Sequence, residues 1–344
     1  ARWMQGTMAI SVLPADGRED PALDGYSTLP VSTLRRLSAL CDAGGAVAAQ
    51  AALAQLALAA GLYAGPVVGD KTVPSCGWYD PAQGVIAAPV VQGPAVLVSF
   101  YRSYLTAADT APIDALIAAL RAKGVAAYGV FVPSLKASGA AAFLADAFAA
   151  VPPVAIINAT AFSGRGADGT TPLDAPQCPV FQVALSTARR RDWAGSERGL
   201  APADLVMHVV LPEVDGRIFA GLISFKSPGK RDPDLQFSRF AHRADLGRIN
   251  QVVARVLGWL RLAAAPVAEK SVAIVLSTYP GRPDQIAHAV GLDALASTQA
   301  ILQQMAAQGH DVTAPDALGP RLIAERLSWP LQDYHAALSQ LPQT

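Results

Sequence analysis

The chain has 344 residues, 52% of them hydrophobic, and its 27 basic and 27 acidic side chains cancel. That length and apolar content allow about two domains with real cores. A pI near 7.2 and no basic run longer than Arg189-Arg190-Arg191 set aside nucleic-acid binding, which needs a concentrated positive face.

Cys41, Cys76 and Cys178 match neither CxxC nor zinc-finger spacing, which predicts reduced thiols in a cytoplasmic protein. The opening residues show no export signal, and a chain that starts at Ala1 reads as an internal portion of something longer. Met8 to Leu13 reads as a short strand. Ser32 or Thr33 is placed to cap a helix over Leu34 to Cys41. Ala43 to Gly69 carries no charge, but it is mostly alanine with Gln50 and Gln55 interspersed, which predicts a buried or interfacial helix and no membrane span. Gly65 to Gly93, rich in Gly and Pro, predicts a linker or surface excursion.

From Pro94 the pattern is regular. Ala95 to Phe100 is a continuous apolar strand. Thr110 is placed to cap a helix with Pro112 in its first turn, and Ile113, Leu116, Ile117 and Leu120 form its apolar stripe before Gly124. Strand Ala127 to Val132, a helix over Ala140 to Ala149, and strands Val154 to Asn158 and Pro179 to Leu185 continue the alternation. This predicts an α/β fold of Rossmann-like or flavodoxin-like βαβ units on a parallel sheet. Leu205 to Leu211 and Arg217 to Phe225 flank PEVDG, whose Asp215-Gly216 pair predicts an inserted β-hairpin. A long helix from Asp245 to Leu262 precedes Pro266. Strand Ser271 to Leu276, a polar loop, a helix from Ser297 to Gln308 stopped by Gly309, and a short strand near Asp311 and Val312 follow. The expected organisation is an N-terminal α/β remnant with linker over 1–92, an α/β domain with the hairpin over 93–265, and the truncated start of a further α/β domain over 266–344.

Parallel sheets hold ligands at the carboxyl ends of their strands. Tyr101, Arg102, Ser134, Lys136, Asn158, Thr160 and Gln182 are expected at or just beyond those ends. Arg102 is suited either to a ligand carboxylate or to an ion pair with Asp109 or Asp114. Glu213 and Asp215 are either a carboxylate pair for metal or protons, or turn residues facing solvent. Gly164, Gly166 and Gly169 spell GxGxxG, but TTPLDAPQCP cannot open the helix that would bind a pyrophosphate. There is no P-loop, so ATP hydrolysis by this chain is not expected; GxSxG, HExxH and EF-hand patterns are also missing. The five histidines are scattered. His208 is expected in a strand as a hydrogen-bonded core residue, and His288 alone lies in a ligand-type loop, Ser277 to Asp293.

SFYRSYLTAADTAPIDALIAALRAKGV, VFVPSLK, INATAF, VFQVALS, MHVVLPEVDGRI, SFKS and TYPGRPDQIAHAVGLDALAST occur in the order seen in the large subunits of aerobic-pathway cobaltochelatase, which this chain resembles along nearly its whole length. The large subunit of magnesium chelatase is similar in several of the same places. The resemblance implies a portion of a subunit that binds a tetrapyrrole and inserts Co²⁺ into hydrogenobyrinic acid a,c-diamide for cobalamin biosynthesis. ATP and Mg²⁺ would be used by a separate AAA+ ATPase subunit with an integrin-like companion. It implies that Arg102, Lys136 and Arg282 meet peripheral carboxylates and that Tyr101 and Tyr279 pack on the ring or donate hydrogen bonds. It also makes Asp284 and His288 candidates for handling metal or protons. Thr278 and Gly281 stand where the family commonly has Asn. Its His-Gly and Leu-Glu motif has no counterpart here, so this portion alone is not expected to chelate. The alternatives are a magnesium-inserting subunit, a two-lobed binding module and a subunit-docking scaffold.

Overall fold

The computed structural model describes residues 8–14, 19–69, 72–234, 236–277, 287, 291–313, 316–325 and 328–341. By its contacts the chain divides into two units, Ala1–Leu260 and Arg261–Thr344.

The first unit opens with α1 (Pro21–Asp24), α2 (Val31–Ala43) and α3 (Ala46–Ala59). Residues 8–13 are not a strand, because Ile10 bonds the single residue Thr28 rather than a neighbouring ladder. α2 starts ahead of Ser32 and Thr33, and Pro30 at its N-cap makes no side-chain bond. The Gly/Pro-rich stretch is also not a plain linker. It contains a hairpin, β1 (Gly77–Asp80) and β2 (Gly84–Ile86), whose Trp78 and Tyr79 are buried in the cores on opposite faces of the sheet.

The remaining elements of this unit are β3 (Ala95–Tyr101), α4 (Arg102–Thr106), α5 (Ala111–Arg121), β4 (Ala126–Val132), α6 (Ala140–Ala150), β5 (Pro153–Asn158) and β6 (Val180–Ser186), followed by α7 (Arg190–Ala194), α8 (Pro202–Leu205), a π-helical turn (Val206–Val210), α9 (Leu211–Val214), β7 (Ile218–Pro228), β8 (Phe240–Ala244) and α10 (Leu246–Ala264). Among the described residues they form one eight-stranded sheet of order β2-β1-β4-β3-β5-β6-β7-β8. β4, β3, β5, β6 and β7 run parallel, and β1 and β8 join antiparallel.

Alternation along the strands sorts the core into two layers. Val96, Val98 and Phe100 face the fully buried stripe of α5, Ile113, Leu116, Ile117 and Leu120, together with Ile249, Val252, Val253 and Val256 of α10. Ala95 and Leu97 face Leu144 and Phe148 of α6. Each buried Leu or Ile contributes about 1.5–3 kcal/mol, so these stripes anchor the helices far more strongly than any cap. Thr110 is not a capping side chain: its hydroxyl donates to Asp114 Oδ2 at 2.9 Å.

The expected PEVDG hairpin does not form. The run before it is helical from Pro202 to Val214, and a short apolar run of this kind fits a buried strand and a helix equally well. Gly216, at φ +77°, closes that helix, with its N–H on Glu213 O.

In the second unit the described helices include α11 (Ala294–Ala307), capped by Asp293, α12 (Leu318–Ala324) and α13 (Leu331–Ser339). Residues 271–276 and 311–312 are not strands; Val272 and Val275 are exposed, and no ladder among the described residues pairs with them. No helix among the described residues is long and apolar enough to cross a membrane.

At Gly129 a Cβ would lie 2.8 Å from the Phe100 ring and 3.0 Å from Tyr79 Cβ, both buried. Gly129→Ala is expected to destabilise the chain by about 1–3 kcal/mol through overpacking, seen as a lower urea midpoint at unchanged slope.

Candidate functional site

The chain leaves β3 for β4 on one side and returns across β3 to β5 on the other, so the carboxyl ends of β3 and β5 form a topological switch point where loops diverge and leave a crevice. A recess of about 480 Å³ lies there, lined by Tyr101 and Ser103, by the loop from Pro133 to Lys136, and by Ala161, Phe162 and Ser163. Among its described lining residues Lys136 is the charged one, and it is exposed. The Tyr101 hydroxyl donates to Ala161 O at 2.8 Å and accepts from Ala161 N at 3.0 Å. Burial pushes this phenol above its ordinary pKa, so it stays neutral.

Beneath the recess runs a buried chain of polar groups. Asn158 and Gln182 are register partners on parallel strands, so their amides meet side by side. Asn158 Oδ1 accepts from Ser99 Oγ at 2.6 Å and Thr160 Oγ1 at 2.9 Å, while its Nδ2 donates to Gln182 Oε1 at 2.7 Å. Gln182 Nε2 donates to Thr160 O at 2.8 Å, and Gln182 Oε1 also accepts from Arg217 Nη1 at 3.4 Å. Arg217 Nη2 donates to Asp215 Oδ2 at 2.7 Å, with the two side chains only 2% and 0% exposed. Asp215 also accepts from Ser163 Oγ and from Gly164 N. Burial lowers the Arg217 guanidinium from its ordinary pKa, and the Asp215 charge works against that.

The geometry sorts the residues expected at the site. Tyr101 and Lys136 line the recess. Asn158, Thr160 and Gln182 lie together beneath it, buried and bonded to one another. Gln182 is the third residue of β6 rather than a strand-end residue; the stagger of β6 against β5 brings it level with Asn158. Arg102 turns away from the recess. Its guanidinium donates to Ala43 O, Val73 O and Pro74 O, tying the end of α2 and the loop before β1 to the start of α4. Asp109 and Asp114 are engaged elsewhere, by His242 N and by Tyr79 and Thr110, so the expected ion pair does not form either. Glu213 is exposed while Asp215 is buried, so they are not a carboxylate pair. Tyr279, Arg282, Asp284 and His288 lie outside the described residues. Phe162, Ser163 and Arg217 were not read from the sequence as site residues. For Phe162 the sequence signal was an aromatic just past a strand end in INATAF; Arg217 was hidden by its place in an expected hairpin.

A second buried cluster lies by the end of β6 and the middle of β7 and β8. Asp204 accepts from Ser186 Oγ, Thr187 N and Thr187 Oγ1. His242 Nδ1 is 3.2 Å from Ser224 Oγ. His208 lies in the π-turn rather than in a strand, and its buried Nδ1 has no hydrogen-bond partner among the described residues. Burial lowers the pKa of both imidazoles. For His208 the Asp204 charge opposes this; for His242 Asp109 and Asp204 oppose it, while Lys226 and His208 reinforce it. No group of three or more His, Cys, Asp or Glu among the described residues could hold a metal ion.

Removing Arg217 strands the buried Asp215 carboxylate, so Arg217→Met is expected to cost about 3–5 kcal/mol in urea unfolding. A histidine whose folded pKa lies below its unfolded value, about 6.5, takes up protons more readily when unfolded; its cost to stability is absent above that pH and grows as the pH falls through it. The urea midpoint is therefore expected to fall between pH 7.5 and 5.5, and the His208→Gln/His242→Gln double variant to flatten that decline.

A family model described as CobN/Magnesium Chelatase matches residues 47–344. The aerobic cobaltochelatase subunit CobN of a Sinorhizobium species is 36% identical over 340 residues, covering 93% of this chain and 26% of its own length. A magnesium-chelatase subunit of Rhodobacter capsulatus is 29% identical over 227 residues, covering 61% of this chain and 19% of its own. A solved structure, the catalytic subunit of cobaltochelatase from Mycobacterium tuberculosis, matches with a TM-score of 0.70 and 25% identity over 98% of this chain and 29% of that one. The chain thus spans about a quarter of the length of such relatives. With the family model matched across most of its residues and the relatives' likeness running through its sheet and loops, this chain belongs to the CobN/magnesium chelatase family.

Proposed function

We propose that the chain is a portion of a metal-chelatase subunit that inserts Co²⁺ into hydrogenobyrinic acid a,c-diamide in cobalamin biosynthesis. In this reading a partner AAA+ subunit, with an integrin-like companion, hydrolyses the ATP. The observation that carries the reading is the recess at the switch point, in a chain whose named relatives include cobaltochelatase subunits at 36% and 34% identity. Its volume of about 480 Å³ falls in the range of small-molecule sites. It suits an edge of the macrocycle with an acidic side chain.

The chain's own residues have limited roles. Lys136 meets a peripheral carboxylate as a point charge, and the neutral Tyr101 phenol bounds the ring edge without adding a like charge. Asn158, Thr160 and Gln182 act one layer down by holding the loop that carries Ala161, Phe162 and Ser163. Pyrrolic protons must leave as the metal enters, and the described recess lining has neither carboxylate nor imidazole to take them. This portion therefore holds the ring, and the acid–base step falls to groups outside that lining. By the family resemblance alone, Asp284 and His288 are candidates for metal or proton handling, and Tyr279 and Arg282 for contacts to a ring or carboxylate; all four lie outside the described residues.

The likeness to magnesium-chelatase subunits supports a second reading, Mg²⁺ insertion into protoporphyrin IX. Titrating the chain with each tetrapyrrole while following tryptophan fluorescence separates the two. Trp78 shares a buried cluster with Leu135 of the recess wall and serves as reporter. Saturable quenching is expected with hydrogenobyrinic acid a,c-diamide. Lys136→Glu should weaken it about 3- to 10-fold, since an exposed pair is worth about 0.2–1 kcal/mol and the reversed charge adds repulsion. Saturation with protoporphyrin IX alone would favour the second reading; saturation with neither ring, or a variant that binds like the wild type, defeats the recess as the binding site.

A further inference from the structure

Phe162 combines three features not explained by packing. Its backbone is left-handed, at φ +64°, a conformation that a bulky side chain adopts only when its surroundings impose it. It is half exposed, at 50%, although its neighbours Ala161 and Ser163 are hydrogen-bonded to Tyr101 and Asp215. It also lines the recess.

What imposes the conformation is visible in the π-turn. The Leu211 N–H, which in an α-helix would bond Met207 O, bonds Val206 O instead. The π pattern would next offer Met207 O the N–H of residue 212, but that residue is Pro212 and has none. The carbonyl left over is taken by Phe162 N–H at 2.8 Å. On its other side Phe162 O accepts from the buried Arg217 Nη1 at 3.4 Å. Both backbone groups of one exposed aromatic residue are therefore hydrogen-bonded, one to the π-turn and one to the buried Arg217, while the ring is left open to solvent.

We infer that Phe162 is a stacking platform, presented at the recess by the Pro212 π-turn and Arg217 to meet the flat face of a conjugated macrocycle. This rests on the proposed tetrapyrrole binding and adds the residue that sets the orientation of the ring. An aromatic face is selective for flat, polarisable ligands and indifferent to the metal they carry.

The test uses this chain with hydrogenobyrinic acid a,c-diamide as probe, measuring thermal unfolding and fluorescence quenching on the same variants. Phe162→Gly removes the ring and suits the left-handed backbone. The unfolding temperature is expected to hold or rise while affinity falls about tenfold, a divergence that a purely structural role would not produce. Phe162→Tyr should keep the affinity within about twofold. Pro212→Ala restores an N–H that competes for Met207 O, and should weaken binding with the ring still present. Wild-type binding that Phe162→Gly leaves unchanged overturns the platform alone. No binding by the wild-type chain overturns the tetrapyrrole reading, and the platform with it.

Discussion

The arrangement at the strand ends depends on one buried ion pair, Asp215 with Arg217, and the amides wired to it. Two opposite charges this far from water are tolerated only when their remaining hydrogen-bonding groups are met. Asp215 meets that condition by accepting from Ser163 and Gly164 beyond β5, and Arg217 by donating to Gln182 on β6 and to Phe162 O. Arg217 Nε is buried and without a partner among the described residues, so the pair is not fully compensated by them. Its value lies more in specifying where three loops sit than in net stability. Gly164 fits this requirement, since a Cβ there would come within 2.9 Å of both Arg217 Nη2 and Leu135 Cδ1.

From that pair the rest of the recess follows. Parallel pairing sets Asn158 beside Gln182, and the return of the chain across β3 opens the crevice above them. The π-turn supplies an orphaned carbonyl at the place where the β5 loop needs an acceptor. The outcome is a wall with an exposed aromatic ring and ammonium beside a half-buried phenol, over a buried, hydrogen-bonded polar layer. Such a wall offers stacking and charge contacts, and its described lining has no carboxylate or imidazole to move protons. That division is consistent with a chain covering about a quarter of its relatives' length.

Much of the frame was legible beforehand. The strands β3 to β6 and the helices α5, α6 and α10 were read within about two residues of their observed ends, because continuous apolar runs and 3.6-residue stripes report burial directly. Gly65 to Gly93 misled, since its glycines and prolines outweighed the short strand GWYD, whose Gly77, Trp78 and Tyr79 pair with β4. The segment Leu205 to Leu211 misled for a different reason. An uninterrupted apolar run carries no period, and the Asp-Gly pair that looks like a hairpin turn serves equally well as a helix stop.

For the site, residue type and strand position put Tyr101, Lys136, Asn158, Thr160 and Gln182 on one rim; the structure places Tyr101 and Lys136 in the lining of the recess and buries Asn158, Thr160 and Gln182 together. What the amino-acid sequence by itself determined was the parallel α/β frame and the strand ends where polar groups collect, because burial and periodicity are local properties. What only the tertiary structure decided was which of those polar groups face outward. Arg102 went to carbonyls of another segment, Asp215 to a buried arginine and Phe162 to the surface, since each choice depends on donors and acceptors brought together from distant parts of the chain.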